Sequence, residues 1–276
     1  MTVSLADFQL FRDYLEKQSG ILLGDNKVYL VNSRLKKILE KEGTQSLAEL
    51  VRRMQAMPRG PLHTEVIDAM TTNETLWFRD GYPFEVLKSK VLPELLAKNS
   101  GQGLRIWSAA CSSGQEPYSL VMTLDEYERS TFGQVRGSVQ IVATELSSSM
   151  LQACKKGEYD ALAIARGLSQ ERLQRYFEKV GTEGRWRIKN EVKQRVDFRQ
   201  LNLLDSYATL GKFDIVFCRN VLIYFSAEVK KDILRRIHAT LKPGGYLFLG
   251  ASEALNGLPE LYTMVQCSPG IIYQAK

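Results

Sequence analysis

The chain has 276 residues, 44% of them hydrophobic and 25% charged, which excludes wholesale disorder and allows one large core or two modest ones. No apolar run approaches the roughly 18 residues of a membrane span and no secretory apolar segment opens the chain, so direct membrane insertion is not expected and a cytoplasmic location is. A net charge of +6 leaves nucleic acid, anionic membrane and acidic protein open as partners, whereas four scattered cysteines without a C-x-x-C and only two histidines argue against a metal site, a disulfide framework or a catalytic histidine.

Residues 1–70 carry no strand pattern. Leu5, Phe8, Phe11 and Leu15 recur at helical spacing, with Ser4 or Asp7 as N-cap. Val28, Val31, Leu35, Ile38 and Leu39 share one face of a second helix that Gly43 ends. Ser46 precedes Leu47, Leu50, Val51 and Met54 in a third, stopped by Met57-Pro-Arg-Gly-Pro61; His63 then falls in a loop before a fourth helix at about 64–70. This predicts a small all-helical domain over 1–70, followed by a linker, 71–82, and a larger domain, 83–276.

Beyond residue 80 the period changes. A helix over 83–97 and a glycine-rich break, Asn99-Ser-Gly-Gln-Gly103, precede a strand at 104–109, and a helix at about 116–127 follows it. A second strand at 139–144 leads to a helix capped by Ser147 that runs to about 156. Later come a strand at 213–218, a helix at about 227–241, a Pro243-Gly-Gly245 turn, and a strand at 246–249. Segments 264–268 and 271–274 form a hairpin about Pro269-Gly270. Strands alternating with helices imply an α/β fold with a parallel, doubly wound sheet. Between 157 and 198 the alternation lapses. Short strands at 186–189 and 192–198, with Gly181-Thr-Glu-Gly184 as a turn, read as an inserted antiparallel β-subdomain.

Two stretches about 140 residues apart read as halves of one site: Thr71-Thr-Asn-Glu-Thr-Leu-Trp-Phe-Arg79 and Cys218-Arg-Asn-Val-Leu-Ile-Tyr224. The second follows an apolar strand, so its polar residues emerge at a strand's C-terminal end, where open α/β sheets bind ligands. The turn after the first strand, Ser108-Ala-Ala-Cys-Ser-Ser-Gly-Gln-Glu-Pro-Tyr118, decides the ligand class. A dinucleotide site would carry G-x-G-x-x-G there. This turn has only Gly114, with Glu116 two residues on, which opposes a pyrophosphate and suits an ammonium group. Glu145 ends the second strand, where an acid can accept ribose hydroxyls. Ribose plus an amino group without phosphate points to S-adenosylmethionine (SAM). Each acid alone also reads as a helix N-terminal acid held by the dipole, but their occurrence after successive strands favours a ligand.

Thr71-Thr-Asn-Glu-Thr75, Phe78-Arg-Asp80, Cys111-Ser-Ser-Gly-Gln-Glu-Pro-Tyr-Ser119, Ala143-Thr-Glu145, Cys218-Arg-Asn-Val-Leu-Ile-Tyr-Phe225 and Leu241-Lys-Pro-Gly-Gly-Tyr-Leu-Phe-Leu-Gly250 together resemble the CheR family of chemotaxis receptor methyltransferases, in family order over nearly the whole chain. The resemblance implies a class I SAM-dependent methyltransferase sheet. It implies methylation of glutamate side chains on chemoreceptor signalling-domain helices, giving glutamyl methyl esters and S-adenosylhomocysteine. Carried onto matching positions, it implies that Asn73, Thr75 and Arg79 contact the methionine portion of SAM, Glu116 its amino group, Glu145 its ribose, and Asn202 and Leu203, after a strand at 196–201, its adenine. Arg219 and Asn220 would close the pocket, and Arg79 and Tyr224 would flank the methyl. Two departures stand out: Glu145 replaces an Asp found in many relatives, and Trp77 replaces a Phe.

The chemistry fits what the chain lacks. A glutamate side chain, with a pKa of about 4.3, is already ionised at neutral pH and needs no general base. Arg79 is expected to steer a carboxylate and Tyr224 to orient the reacting pair. The competing readings are a structural pair of Arg79 with Asp80 or Glu85, and a packed Tyr224 beside Phe225. Arg34, Lys37 and Lys41 form a basic stripe on the second helix, either a solvated face or a docking site for glutamate-rich receptor helices. In some members of the family the β-subdomain grips a receptor's C-terminal peptide by strand addition, for which the residues of this chain show no clear pocket. An RNA methyltransferase is disfavoured because no RNA-recognition module, aromatic-basic strand pair or catalytic cysteine motif is visible. A non-catalytic SAM-binding interaction module is the other alternative, opposed by the presence of Arg79, Asn220 and Tyr224.

Overall fold

The computed structural model describes residues 4–44, 46–98, 103–131, 138–181, 184–255 and 257–276. Four helices come first: α1 (Leu5–Ser19), α2 (Val28–Glu42), α3 (Leu47–Ala56) and α4 (Pro61–Met70). The Ser4 hydroxyl accepts the Asp7 N–H and so sets the start of α1, and Ser46 does the same for α3. Gly20 and Gly43 end α1 and α2 in left-handed conformations. Phe8, Phe11, Leu35, Leu50 and Val66 are fully buried in a core of their own. Helix α4 begins three residues earlier than its apolar pattern suggested, because Pro61 sits in its first turn, where no N–H is needed. His63 is therefore helical rather than in a loop.

The chain then runs through α5 (Tyr82–Val86), a π-turn over Leu87–Val91, and α6 (Leu92–Lys98). Strand β1 (Leu104–Ala109) leads to α7 (Gln115–Ser130), and β2 (Val139–Glu145) to α8 (Ser148–Lys156). Next come β3 (Glu158–Tyr159), α9 (Ala161–Ala165), α10 (Gln170–Tyr176), β4 (Phe177–Val180), β5 (Arg185–Ile188), α11 (Asn190–Lys193) and β6 (Val196–Gln200). The last elements are β7 (Phe213–Cys218), α12 (Ala227–Thr240), β8 (Leu241–Leu249), β9 (Tyr262–Gln266) and β10 (Ile271–Ala275).

The main sheet has the order β6-β2-β1-β7-β8-β10-β9, parallel from β6 to β8 and closed by the antiparallel β10–β9 hairpin. The chain winds outward from β1 in one direction and from β7 in the other, so a crevice opens at their C-terminal ends. A second, antiparallel sheet, β3-β5-β4, is the insertion. Segment 192–198, expected as one of its strands, divides instead: Val192 is helical in α11, and Val196–Gln200 pairs with β2 as the edge of the main sheet. Pro243-Gly-Gly245 also differs from expectation, lying inside β8 as a register shift against β7 rather than as a turn before it. A Cβ on Gly245 would come within 2.9 Å of the Asp214 carbonyl, so the two strands meet there only because the side chain is missing. The Gly181–Gly184 turn and the 99–103 break fall largely outside the described residues.

Trp77 fastens the linker to the insertion. It is fully buried, with its ring edge-on to Tyr159 at 4.8 Å and Phe177 at 5.2 Å. Its carbonyl lies so close to Gly167 that a Cβ there would stand 2.1 Å away. The larger ring at this position is thus accommodated by packing.

Candidate functional site

Helix α1, the linker and the C-terminal ends of β1, β2 and β7 enclose a cleft of about 980 Å³, counted to its solvent-open mouth. The structure brings Asn73, Thr75, Arg79, Glu116 and Glu145 to its wall, and with them Asn202, Leu203, Arg219, Asn220 and Tyr224. These positions come from five separate stretches of chain.

The turns that deliver them are strained. Of the six non-glycine residues with positive φ among those described, Ala110, Ser112 and Asn220 line the cleft, while Phe78 and Asp80 flank Arg79. Each such conformation costs on the order of 1–2 kcal/mol and persists only where the surroundings dictate it.

Arg219 is the most enclosed charge, with a side chain 1% exposed. One nitrogen donates to the Glu116 carboxylate at 2.9 Å; the other donates to Asp80 Oδ2 at 2.7 Å and to the Arg79 carbonyl at 2.8 Å. Ser108 Oγ donates to the second oxygen of Glu116 at 2.8 Å. Glu116 therefore faces the cleft already oriented by two donors, with lone pairs left for a ligand ammonium. Asp80, one of the expected partners of Arg79, belongs to Arg219.

Glu145 is buried, and its two oxygens accept the N–H groups of Ser112 at 2.8 Å and Ser147 at 2.9 Å. The longer arm is folded back between two loops. Burial pushes its carboxyl above the usual value, while the amides of Ser147, Ser112 and Leu146 pull the other way. Asn202 is tied to the helical domain, donating to the Gln18 carbonyl at 2.7 Å. Leu201, Leu203, Ile21 and Leu146 give that end of the cleft an apolar lining.

Arg79 donates to the Glu74 carbonyl at 2.9 Å and forms no ion pair among the described residues. The Tyr224 hydroxyl has no hydrogen-bond partner among them either, and its ring is half-buried at the rim. Asn220 Oδ1 is buried without a partner in the same wall, an acceptor left for a ligand donor. The groups present fit SAM: an oriented acid for its ammonium, a second acid for ribose hydroxyls, apolar walls for adenine. A pyrophosphate would face both acids.

The basic stripe on α2 does not stay intact. Arg34 turns to the linker, donating to the carbonyls of Met70 at 2.7 Å and Thr71 at 2.9 Å, and Lys41 pairs with Glu65 at 2.7 Å. Of the three, only Lys37 has neither an ion pair nor a side-chain hydrogen bond among the described residues. The histidines lie away from the cleft, and no group of three potential metal ligands occurs among those residues. Cys111, Cys154 and Cys218 are free and buried, and Cys267 is free and partly buried. No helix among the described residues is long and apolar enough to cross a membrane.

Sequence reasoning missed three supports of the site. Ser112 bonds Glu145 through its N–H and the Asn73 carbonyl through its hydroxyl, at 2.9 Å. Glu253, just beyond β8, accepts the N–H groups of Asn220 at 2.7 Å and Gly250 at 2.8 Å. Its place after a strand's C-terminal end was the available signal. Asp68 on α4 accepts the N–H groups of Ser148 and Ser149, both at 3.0 Å, and no sequence pattern links residues 80 positions apart.

The chain as a whole matches known proteins. A family model described as "CheR methyltransferase, SAM binding domain" matches residues 73–271, and one described as "CheR methyltransferase, all-alpha domain" matches residues 6–71. The chain is 71% identical to "Chemotaxis protein methyltransferase Cher2" of Pseudomonas putida over 276 residues, all of both chains. It is 70% identical to "Chemotaxis protein methyltransferase 1" of Pseudomonas aeruginosa, again over the whole of both. A "Chemotaxis protein methyltransferase" of Vibrio parahaemolyticus is 52% identical over all of this chain and 99% of its own length.

Proposed function

The chain belongs to the CheR methyltransferase family, and on that premise we propose that it transfers the methyl group of SAM to glutamate side chains on the cytoplasmic helices of chemoreceptors. The products are glutamyl methyl esters and S-adenosylhomocysteine, and the site of action is the cytoplasm. The observation that carries this reading is that Arg79 and Tyr224, neither with an ion pair among the described residues, line the same cleft as two oriented acids, Glu116 and Glu145. One end of such a cleft suits a cation and the other a carboxylate.

SAM supplies, when bound, an electrophilic methyl on a positively charged sulfur. The protein has no proton to remove, since the accepting carboxylate arrives ionised. Its residues position and desolvate: Arg79 attracts the carboxylate, Tyr224 donates to it, and Glu116 with Glu145 fixes the opposite end. Holding reactants in line can contribute roughly 7–11 kcal/mol towards the barrier. A receptor C-terminal peptide would add at β4, an outer strand of the small sheet.

The test is incubation of the protein with methyl-labelled SAM and a receptor signalling domain. Label released as methanol by alkali supports the reading. Label on RNA, or SAM binding without transfer, overturns it.

A further inference from the structure

Beside the cleft lies a second concavity, a groove of about 660 Å³ between the β7–α12 loop, the first half of α12 and the loop after β8. The two are joined through one wall. Ile223 lines the groove and Tyr224 the cleft; Glu253 lines the groove while its carboxylate accepts the N–H groups of Asn220, in the cleft wall, and of Ile223 at 3.3 Å. A molecule seated in the groove therefore lies at the rim where the reacting side chain must enter.

The groove's chemistry is specific. Leu222 and Leu234 give it an apolar floor, and Ile223 is 48% exposed. Leu22, from the helical domain, is 49% exposed and its N–H bonds the Tyr224 carbonyl at 2.9 Å, so a second bare aliphatic side chain belongs to this rim. Lys230 and Lys231 line the groove and form no ion pair among the described residues. Glu253 lines the same groove, its oxygens fixed by the backbone N–H groups of Asn220, Ile223 and Gly250, and offsets part of the lysines' charge. Two unpaired cations beside exposed aliphatic residues match an acidic amphipathic helix.

We propose that this groove is the docking surface for the methyl-accepting helix, with acidic residues flanking the target glutamate on Lys230 and Lys231 and an apolar residue of the same helix against Ile223 and Leu22. The inference rests on the methyl transfer reading above. It adds the N-terminal half of α12 to the basic face of α2, where Arg34 turns to the linker and Lys41 pairs with Glu65 at the surface.

The experiment compares the full chain with Lys230→Glu/Lys231→Glu and with Lys230→Ala/Lys231→Ala, using the receptor signalling domain as methyl acceptor. Charge reversal should raise the receptor KM about tenfold or more, and the alanine pair less. SAM affinity by calorimetry and kcat at saturating receptor should hold. The salt sensitivity of the wild-type KM should diminish in both variants. A receptor KM within about twofold of wild type in the reversed variant overturns the docking surface, as does a parallel loss of SAM affinity in both variants. If the wild-type chain itself deposits no alkali-labile methyl on the receptor, the methyl transfer reading fails and takes this inference with it.

Discussion

Arg219 Nη1 lies 2.9 Å from Glu116 Oε2, joining the end of β7 to the first turn of α7 across the floor of the cleft. The same guanidinium holds Asp80 and the Arg79 carbonyl, so one buried side chain sets both the acid at the cation end and the backbone that presents Arg79. Arg219→Ala leaves Glu116 and Asp80 without their counter-charge. Breaking a buried pair of this kind costs about 3–5 kcal/mol, and chemical denaturation should register it. Arg219→Lys keeps the charge but not the fork and should recover only part of the loss. A denaturation midpoint unmoved in Arg219→Ala would show that the network is ornamental to the fold.

Arg79→Ala is the contrasting case. Its side chain donates to one carbonyl, that of Glu74, so stability should change by about 1 kcal/mol or less. Turnover should fall by about a hundredfold or more, as when a donor aimed at the reacting charge is removed. Single-turnover rates at saturating SAM and receptor make the measurement. Near-normal turnover with normal SAM affinity would remove Arg79 from the mechanism.

The contrast between these two arginines also shows what could be read from the chain. The cleft residues were legible because small or polar residues directly follow apolar strands, as Glu145 follows β2 and Arg219 follows β7. Direction was not legible: Arg34 shares a helical stripe with Lys37, yet its guanidinium turns back to the linker carbonyls, a tertiary choice that spacing does not encode. Strand membership failed similarly at Val196, where a short apolar run suits either sheet and only pairing with Ile141 decides. At Pro243-Gly-Gly245 the turn-forming residues serve a bulge, because β7 approaches too closely for a side chain.

Glu145 gives SAM binding a pH dependence. Burial, aided by the charge of Asp68, holds its carboxyl above the ordinary value in spite of the amides around it. With the folded value above the unfolded one, the stability linked to this proton is full below the unfolded pKa and is lost as pH rises through the folded pKa. Ligand binding runs the opposite way, since only the ionised group offers all its lone pairs to ribose hydroxyls. SAM affinity should therefore weaken as pH is lowered from neutral into the acid range, earlier than an ordinary carboxylate would dictate. In Glu145→Gln the affinity should be about tenfold lower at neutral pH and this part of the pH dependence should vanish. Calorimetric titrations across that range decide; a flat wild-type profile refutes the assignment.

Asp68 separates the mechanical from the electrostatic part of that behaviour. From α4 it accepts Ser148 N–H at 3.0 Å, Ser148 Oγ at 2.8 Å and Ser149 N–H at 3.0 Å, capping α8 from the other domain. The linker leaves α4 two residues later and α8 starts just past Glu145, so the contact pins two walls of the cleft together. Asp68→Ala should cost about 1 kcal/mol of stability, the usual worth of a cap, and weaken SAM binding with it. Asp68→Asn keeps an acceptor but removes the negative charge that helps raise the Glu145 carboxyl. The acid limb of SAM binding should then move to lower pH while stability stays closer to wild type. Asp68→Ala removes the same charge, so both variants should shift the limb alike and differ in stability; if neither shifts it, the two carboxylates are not coupled through charge and the pH dependence belongs to another group in the cleft.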